Sequence, residues 1–325
     1  MQAYIIRRVL LVIPTLLLVT VIVFLMVRFI PGNVVDILMS ELTASGGGGM
    51  QGGAAFDREE LMEKMGLNVP VHIQYGRWVS GIILRGDLGD SLRTRRAVSE
   101  MLAPKIPVTV ELGAMALVLG LLISVPLGVY SAIRQDSWGD YVGRSIAIGL
   151  IAIPGFWIGT MIMVFPSIWW QWTPPLEYIH FTEDPLGNLR MMVIPAVVLG
   201  THMSGATMRM TRTMMLEVLR QDYIRTAWSK GLKERLVIIR HALKNAFIPV
   251  VTIVGLQLPI MIGGTVIIEQ IFCLPGMGRF MLEAINQRDY TIVSGVNLLI
   301  VAFVLVNNLM VDLTYGYLDP RIRYK

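Results

Sequence analysis

The sequence predicts an all-α integral membrane protein with six transmembrane helices. Of 325 residues, 54% are hydrophobic and only 16% are charged, and the mean hydropathy is +0.62. The apolar residues gather into six long runs, at roughly 9–30, 108–133, 145–170, 191–211, 247–270 and 291–313, and most of the 28 Lys and Arg lie between them. A soluble domain carries roughly 25% charged residues, so too little polar surface exists here to solvate a globule. Disorder is excluded because disordered chains are poor in Leu, Ile, Val and Phe. The lone cysteine, Cys273, has no partner for a disulfide, and with four scattered histidines no zinc cluster is expected. No metal or cofactor is expected at all.

A span needs about 20 largely apolar residues, which each run supplies. The first follows Arg7 and Arg8 and is too long for the apolar region of a signal peptide, so it reads as a retained anchor over 1–30. Short cytoplasmic loops are enriched in Lys and Arg. With the N-terminus inside, the cytoplasmic segments hold 16 of the 28 basic residues, and the two short outside loops hold only Arg190, Arg279 and Arg288. Both termini are therefore expected in the cytoplasm, the tail being 314–325. The basic excess is a topology signal. Nucleic-acid binding would need a clustered basic face with stacking aromatics, and none is seen.

Between the first two spans lies a long outside segment, 31–107. Its GGGGMQGG at 46–53 reads as a flexible linker, since no Lys-Ser or Lys-Thr follows to make a phosphate loop. A short helix is expected to start at Asp57. RGDLGDSL at 85–92 is turn-rich and is either a surface turn or a shaper of the outer mouth.

The segment between spans 4 and 5, residues 212–246, is polar with apolar residues at helical spacing. Nine basic residues crowd the stretch from Arg209 to Lys244. Two short amphipathic helices joined at Ala227 to Leu232 are expected. Such helices lie on a membrane surface or dock into a partner's groove. The small residues Ala227 and Gly231 would let a partner's backbone approach closely. A basic helix pair that only fixes topology is the alternative.

The stretch DYIRTAWSKGLKERLVIIRHALKNAFIPVV at 222–251 resembles the coupling loop of ATP-binding-cassette importer permeases, in particular the branch importing dipeptides, oligopeptides, nickel and related solutes. That family's loop follows a Glu-Ala-Ala, three residues, Gly pattern; the corresponding positions here are Arg225, Thr226, Ala227 and Gly231, the first two departing from it. Arg-Thr-Ala is usual in the peptide branch. The general pattern's downstream Leu-Pro is missing, because Lys244 follows Leu243, and this too suits that branch. The N-terminal YIIRRVLLVIPTLLLVTVIVFLMVRFIPG, GDLGDS at 86–91, IPGFWIG in span 3, LPGMGRFMLEAINQRDY at 274–290 and the closing LDPRIRY resemble the same branch.

The resemblance implies a permease subunit forming half of a translocation path in the bacterial or archaeal cytoplasmic membrane. Its implied partners are two ATPase subunits, a second homologous permease chain and an extracytoplasmic substrate-binding protein. It implies ATPase coupling at Asp222, Tyr223, Arg225, Thr226, Ala227, Lys230, Gly231, Leu232 and Arg240. Residues 108–313 would form the five-helix permease core. No G-x-x-x-x-G-K-[ST] is present, so ATP chemistry is expected on the partners, and neither HExxH nor GxSxG suggests an enzyme. Di- or oligopeptides are the expected solutes; nickel or glutathione is the alternative within the family.

A stand-alone secondary transporter is the alternative from another class. Against it, Arg28, Glu111 and Glu269 lie near outer span ends and Arg209 and Asp312 near inner ends, leaving no carboxylate near the midplane. The deeper polar residues are His202, Gln257, Asn297, Asn307 and Asn308. They serve either helix-to-helix hydrogen bonding or the path; His202, Gln257 and Asn297 are the candidates for lining it. Pro126, Pro154 with Gly155, Pro195, Pro259, Gly263 and Gly264 mark bends that are either static or mobile. The 21 methionines read as adaptable packing.

Overall fold

The computed structural model describes residues 2–29, 68–173, 175 and 177–318. The glycine run at 46–53, the helix expected from Asp57 and the last seven residues lie outside them, as does the side chain of Arg28. The described residues are helical, with one isolated antiparallel bridge, Asp90 to Ala97. The long helices are α1 (Gln2–Phe29), α4 (Ile106–Ile133), α7 (Pro185–Leu219), α9 (Lys244–Ile271) and α11 (Tyr290–Leu318). Shorter ones are α2 (Val71–Arg85), α3 (Val98–Leu102), α5 (Trp138–Ala152), α6 (Gly155–Trp170), α8 (Asp222–Ser229) and α10 (Met277–Asn286). Five helices are long and apolar enough to cross a bilayer, and α5 with α6 makes a sixth crossing if the bent pair counts as one.

That pair corrects the expected continuous span at 145–170. The chain turns by 90° between α5 and α6. Proline disfavours helical geometry in the residue before it, and Ile153 is accordingly extended (φ −87°, ψ 123°) ahead of Pro154. The helix also begins earlier than expected, because Ser137 caps α5 by accepting from the Asp140 amide. A second correction concerns α7, which runs eight residues beyond the expected end at 211 into the stretch read as loop.

The centre of the bundle is α4 against α7, with α9 alongside. Ala116, Gly120, Ser124, Gly128 and Ala132 recur every fourth residue of α4, and all are buried. They face Gly200, Met208 and Thr211 of α7: a Cβ on Gly120 would lie 3.0 Å from the Gly200 carbonyl oxygen, and one on Gly128 2.7 Å from Thr211 Cβ. Lipid offers no hydrophobic drive between helices, so such close backbone approach is what makes dispersion contacts dense. Leu112, Met192, Ala196 and Val198 complete this core.

α11 packs on α1 and α9. Arg8 Nη1 meets Asp312 Oδ2 at 2.6 Å, joining the start of α1 to the end of α11. Farther along α1, Thr20 shares a hydrogen bond of 2.8 Å with the Tyr75 hydroxyl and Phe24 stacks edge-on against the Tyr75 ring. Asn307, buried, donates to the Gly255 carbonyl across to α9, a helix-to-helix bond of the kind expected.

Candidate functional site

Helix α8 packs against one end of the bundle. Its buried side chains, Ile224 and Ala227, sit three residues apart and pack with Ala132 of α4, Met215 of α7 and Val237, Ile238 and Ala242. The helix ends in a left-handed residue, Gly231 (φ 71°). The Gly231 amide donates to Trp228 O at 2.9 Å and the Leu232 amide to Ala227 O at 3.4 Å, closing the two rings of a Schellman cap. Leu232 then folds back onto the same apolar cluster. After a single turn at Glu234–Leu236 the chain widens into a π-helical stretch, Val237–Leu243, that runs directly into α9.

This arrangement sorts the residues implicated in coupling. Asp222, Tyr223, Arg225, Thr226, Lys230 and Gly231 are exposed on the outer face, with Trp228, and Arg240 is exposed on the π turn. Asp222 and Arg225 pair at 3.5 Å in the open. Tyr223 accepts from Asn245 Nδ2 at 3.0 Å, tying α8 to the first turn of α9. Ala227 is 7% exposed, so the close approach its small side chain allows is to the chain's own core. Leu232 is half-buried there too. A Cβ on Gly231 would meet nothing within 4 Å, so what requires glycine at this corner within the chain is the backbone angle.

A buried ion pair fastens the same end. Asp140 of α5 accepts from Arg212 Nε and Nη2, both at 2.7 Å, and also from the Asp136 amide at 3.0 Å. Asp140 is wholly buried. The pair joins α5 to the part of α7 that leads into α8. Sequence reasoning missed it; the only local sign was Ser137 with Asp140 three residues on, a helix-start pattern.

At the opposite end, Glu269 in the last turn of α9 is also wholly buried. It accepts from Thr109 Oγ1 at 2.7 Å and from the Arg279 amide at 2.9 Å, while Thr109 Oγ1 accepts from the Met277 amide at 2.8 Å. Two side chains from α9 and α4 thus satisfy the free amides that begin α10. Gly276 must lack a Cβ, since one there would run into the Glu269 carboxylate. The LPGMGRF sequence is the backbone fitted round that side chain.

RGDLGDSL is held against the same end. Ser91 Oγ donates to Asp289 Oδ2 at 2.6 Å with both residues buried, and Asp289 Oδ1 accepts from the Ile292 amide at 3.3 Å in the first turn of α11. Nearby, the Tyr178 hydroxyl donates to Glu111 Oε2 at 3.0 Å. Burial first, then the adjacent Glu111 carboxylate, pushes the Tyr178 phenol up to about 12.

The candidate path residues are placed differently from one another. His202 is exposed on α7. Gln257 of α9 is half-buried and accepts from Thr207 Oγ1 at 3.3 Å, and Asn297 of α11 is half-buried. Among the described residues, no group of three or more His, Cys, Asp or Glu could hold a metal ion.

Comparison with known proteins agrees with this geometry. Residues 124–324 match the family described as binding-protein-dependent transport system inner membrane component. Over its full length the chain is 40% identical to the whole oligopeptide transport system permease protein AppB of Bacillus subtilis. It is 37% identical, again with both chains fully covered, to the dipeptide transport system permease protein DppB of Escherichia coli strain K12. Among solved structures it resembles the inward-facing MetNI methionine ABC transporter, with a TM-score of 0.55 and 15% identity over 68% of this chain and 97% of that one. An amino acid ABC transporter solved with histidines gives a TM-score of 0.51 and 12% identity over 67% and 94%. At those identities the likeness is one of fold. An all-α bundle with a short amphipathic helix packed at one end, matched from end to end by permeases, is thus accounted for: the chain belongs to the inner membrane components of binding-protein-dependent transport systems.

Proposed function

We infer that this permease subunit forms half of the translocation path of an ATP-driven importer of di- or oligopeptides, and that α8 is its contact with an ATPase partner. The observation that carries the reading is the two-sidedness of α8: Ile224 and Ala227 weld it to α4, α7 and the π turn, while Tyr223, Arg225, Thr226 and Lys230 are left facing outward. A partner gripping the outward face would move α7 and α9 together, because Ile224 and Ala227 pack on Met215 of α7 and on the π turn that leads into α9, and Asn245 of α9 donates to Tyr223. Access would then alternate at the far end of α9. The full-length likeness to dipeptide and oligopeptide permeases supports peptides as the solutes. The implied assembly has two ATPases, a second permease chain and an external binding protein, with the α8 end and both termini in the cytoplasm.

The test is Gly231→Trp beside Gly231→Asn in the assembled transporter. Asparagine tolerates the left-handed angle, whereas tryptophan places bulk on the docking face. The Asn variant should support uptake near the parental level. The Trp variant should insert normally yet lose co-purifying ATPase and peptide uptake, and parental uptake by the Trp variant would overturn the assignment.

A further inference from the structure

We propose that the corner between α4 and α5 binds the headgroup of an anionic phospholipid, with the Arg144 guanidinium as its charged contact and Trp138, Tyr141 and Tyr130 as the aromatic ledge. The corner lies at the α8 end of the bundle, since Ala132 of α4 packs with Ile224 and Ala227. Three large aromatic side chains stand out of the protein there: Trp138 is 81% exposed, Tyr141 55% and Tyr130 52%. They are contiguous. The Tyr130 ring lies over Gly139, where a Cβ would come within 2.8 Å of it, and Trp138 and Tyr141 are one turn apart on α5. Exposed Trp and Tyr at the end of an apolar span sit at headgroup depth, where an apolar ring and a polar edge are both accommodated.

The charge at this ledge is unbalanced. At this corner Arg134, Arg144 and the Arg212 bound to Asp140 outnumber Asp136 and Asp140 by one positive charge. Arg212 occupies both oxygens of Asp140 at 2.7 Å, and the Asp136 amide adds a third bond. Arg144 is left with a long 3.5 Å approach of its Nε to Asp140 Oδ1; Nε and Nη2 are buried without a hydrogen-bond partner, and the side chain, 37% exposed, reaches the surface through the rest of the guanidinium. Gln135 donates to Asp136 at 3.2 Å, so the Asp136 carboxylate is also engaged. Arg144 lies over the Tyr141 ring at 4.5 Å, which aims the surplus cation at the aromatic ledge. A phosphodiester oxygen would meet the exposed part of the Arg144 guanidinium, and an acyl chain would run along the side of α5 that carries Tyr141 and, two turns on, the exposed Ile148. A zwitterionic lipid brings its own cation and answers this surplus less well.

The experiment uses the full-length chain, alone and in the assembled transporter, in nanodiscs of phosphatidylethanolamine and phosphatidylglycerol. Lipid retained after mild detergent exchange is counted by mass spectrometry for the parent, Arg144→Gln, Arg144→Lys and a control at the α8 end, Arg235→Gln. The parent and the control should keep phosphatidylglycerol in preference. Arg144→Gln should lose about five-fold of that preference, as expected for one basic residue at a membrane surface, and Arg144→Lys should keep most of it. Equal preference in Arg144→Gln and the parent would overturn the site. Should Arg144→Gln not fold, quenching of tryptophan fluorescence by brominated phosphatidylglycerol decides: the parent should show excess quenching over brominated phosphatidylethanolamine that Trp138→Phe abolishes. Persistence of the excess in Trp138→Phe, or its disappearance once partner subunits assemble, would also overturn the proposal, the latter because a protein would then cover the corner.

Discussion

Glu269 and Thr109, 160 residues apart in sequence, meet through a 2.7 Å hydrogen bond inside the bundle and together hold the amides that open α10. Neither residue is at a midplane ion site. Their joint effect is mechanical: the end of α9 carries α10 with it. The same end of the bundle receives RGDLGDSL through Ser91 and Asp289.

Thr109→Val should destabilise the protein by about 1–3 kcal/mol, because it strands the Met277 amide and one oxygen of a buried carboxylate. Thermal unfolding in detergent measures it. Gly276→Ala should cost at least as much by displacing Glu269, and a melting temperature equal to the parent's in both variants would refute the lock.

Asp140→Asn should cost about 3 kcal/mol, because the mostly enclosed Arg212 would lose the buried carboxylate that meets its charge. A double-mutant cycle with Arg212→Gln isolates the pair. The double variant should be less destabilised than the two single losses summed; strict additivity would show that the residues do not depend on each other.

Gly120→Leu should prevent α4 from closing on α7, with a loss of more than about 2 kcal/mol. Leu122→Ala, on the exposed side of the same helix, should change stability by no more than about 0.5 kcal/mol. Denaturant titrations in detergent compare the two, and equal effects would mean that the helix faces are assigned wrongly.

On α8, Ala227→Leu and Thr226→Leu make a matched pair. The first overfills the cluster of Ile224, Val237 and Ala242 and should cost about 1–3 kcal/mol. The second points outward, should leave stability unchanged, and should reduce ATPase co-purification. Normal stability of Ala227→Leu would contradict the inward orientation.

The all-α membrane class, the positions of five long helices and the amphipathic character of α8 were legible because they follow from local quantities: apolar run length, helical periodicity and the placement of basic residues. The left-handed turn at Gly231 had a local sign as well, a glycine closing an amphipathic run. The bend at Pro154 was visible as a proline but not as a right angle, since its size depends on what α5 and α6 pack against. The stripe of Ala116, Gly120, Ser124, Gly128 and Ala132 was present in the sequence at a period of four, yet gained its meaning only from Gly200 and Thr211 opposite.

Sequence by itself determined that this chain enters a membrane, where its five long helices run, and which family pattern its loop follows. The tertiary structure alone decided that Ala227 faces inward while Thr226 faces outward, that Asp140 belongs to Arg212, and that Glu269 caps a helix. The physical reason is range. Burial in lipid and helix formation depend on residues within a turn or two of each other, whereas the partner of a buried charge is chosen by whichever distant segment the packing brings within 3 Å, and no local pattern encodes that choice.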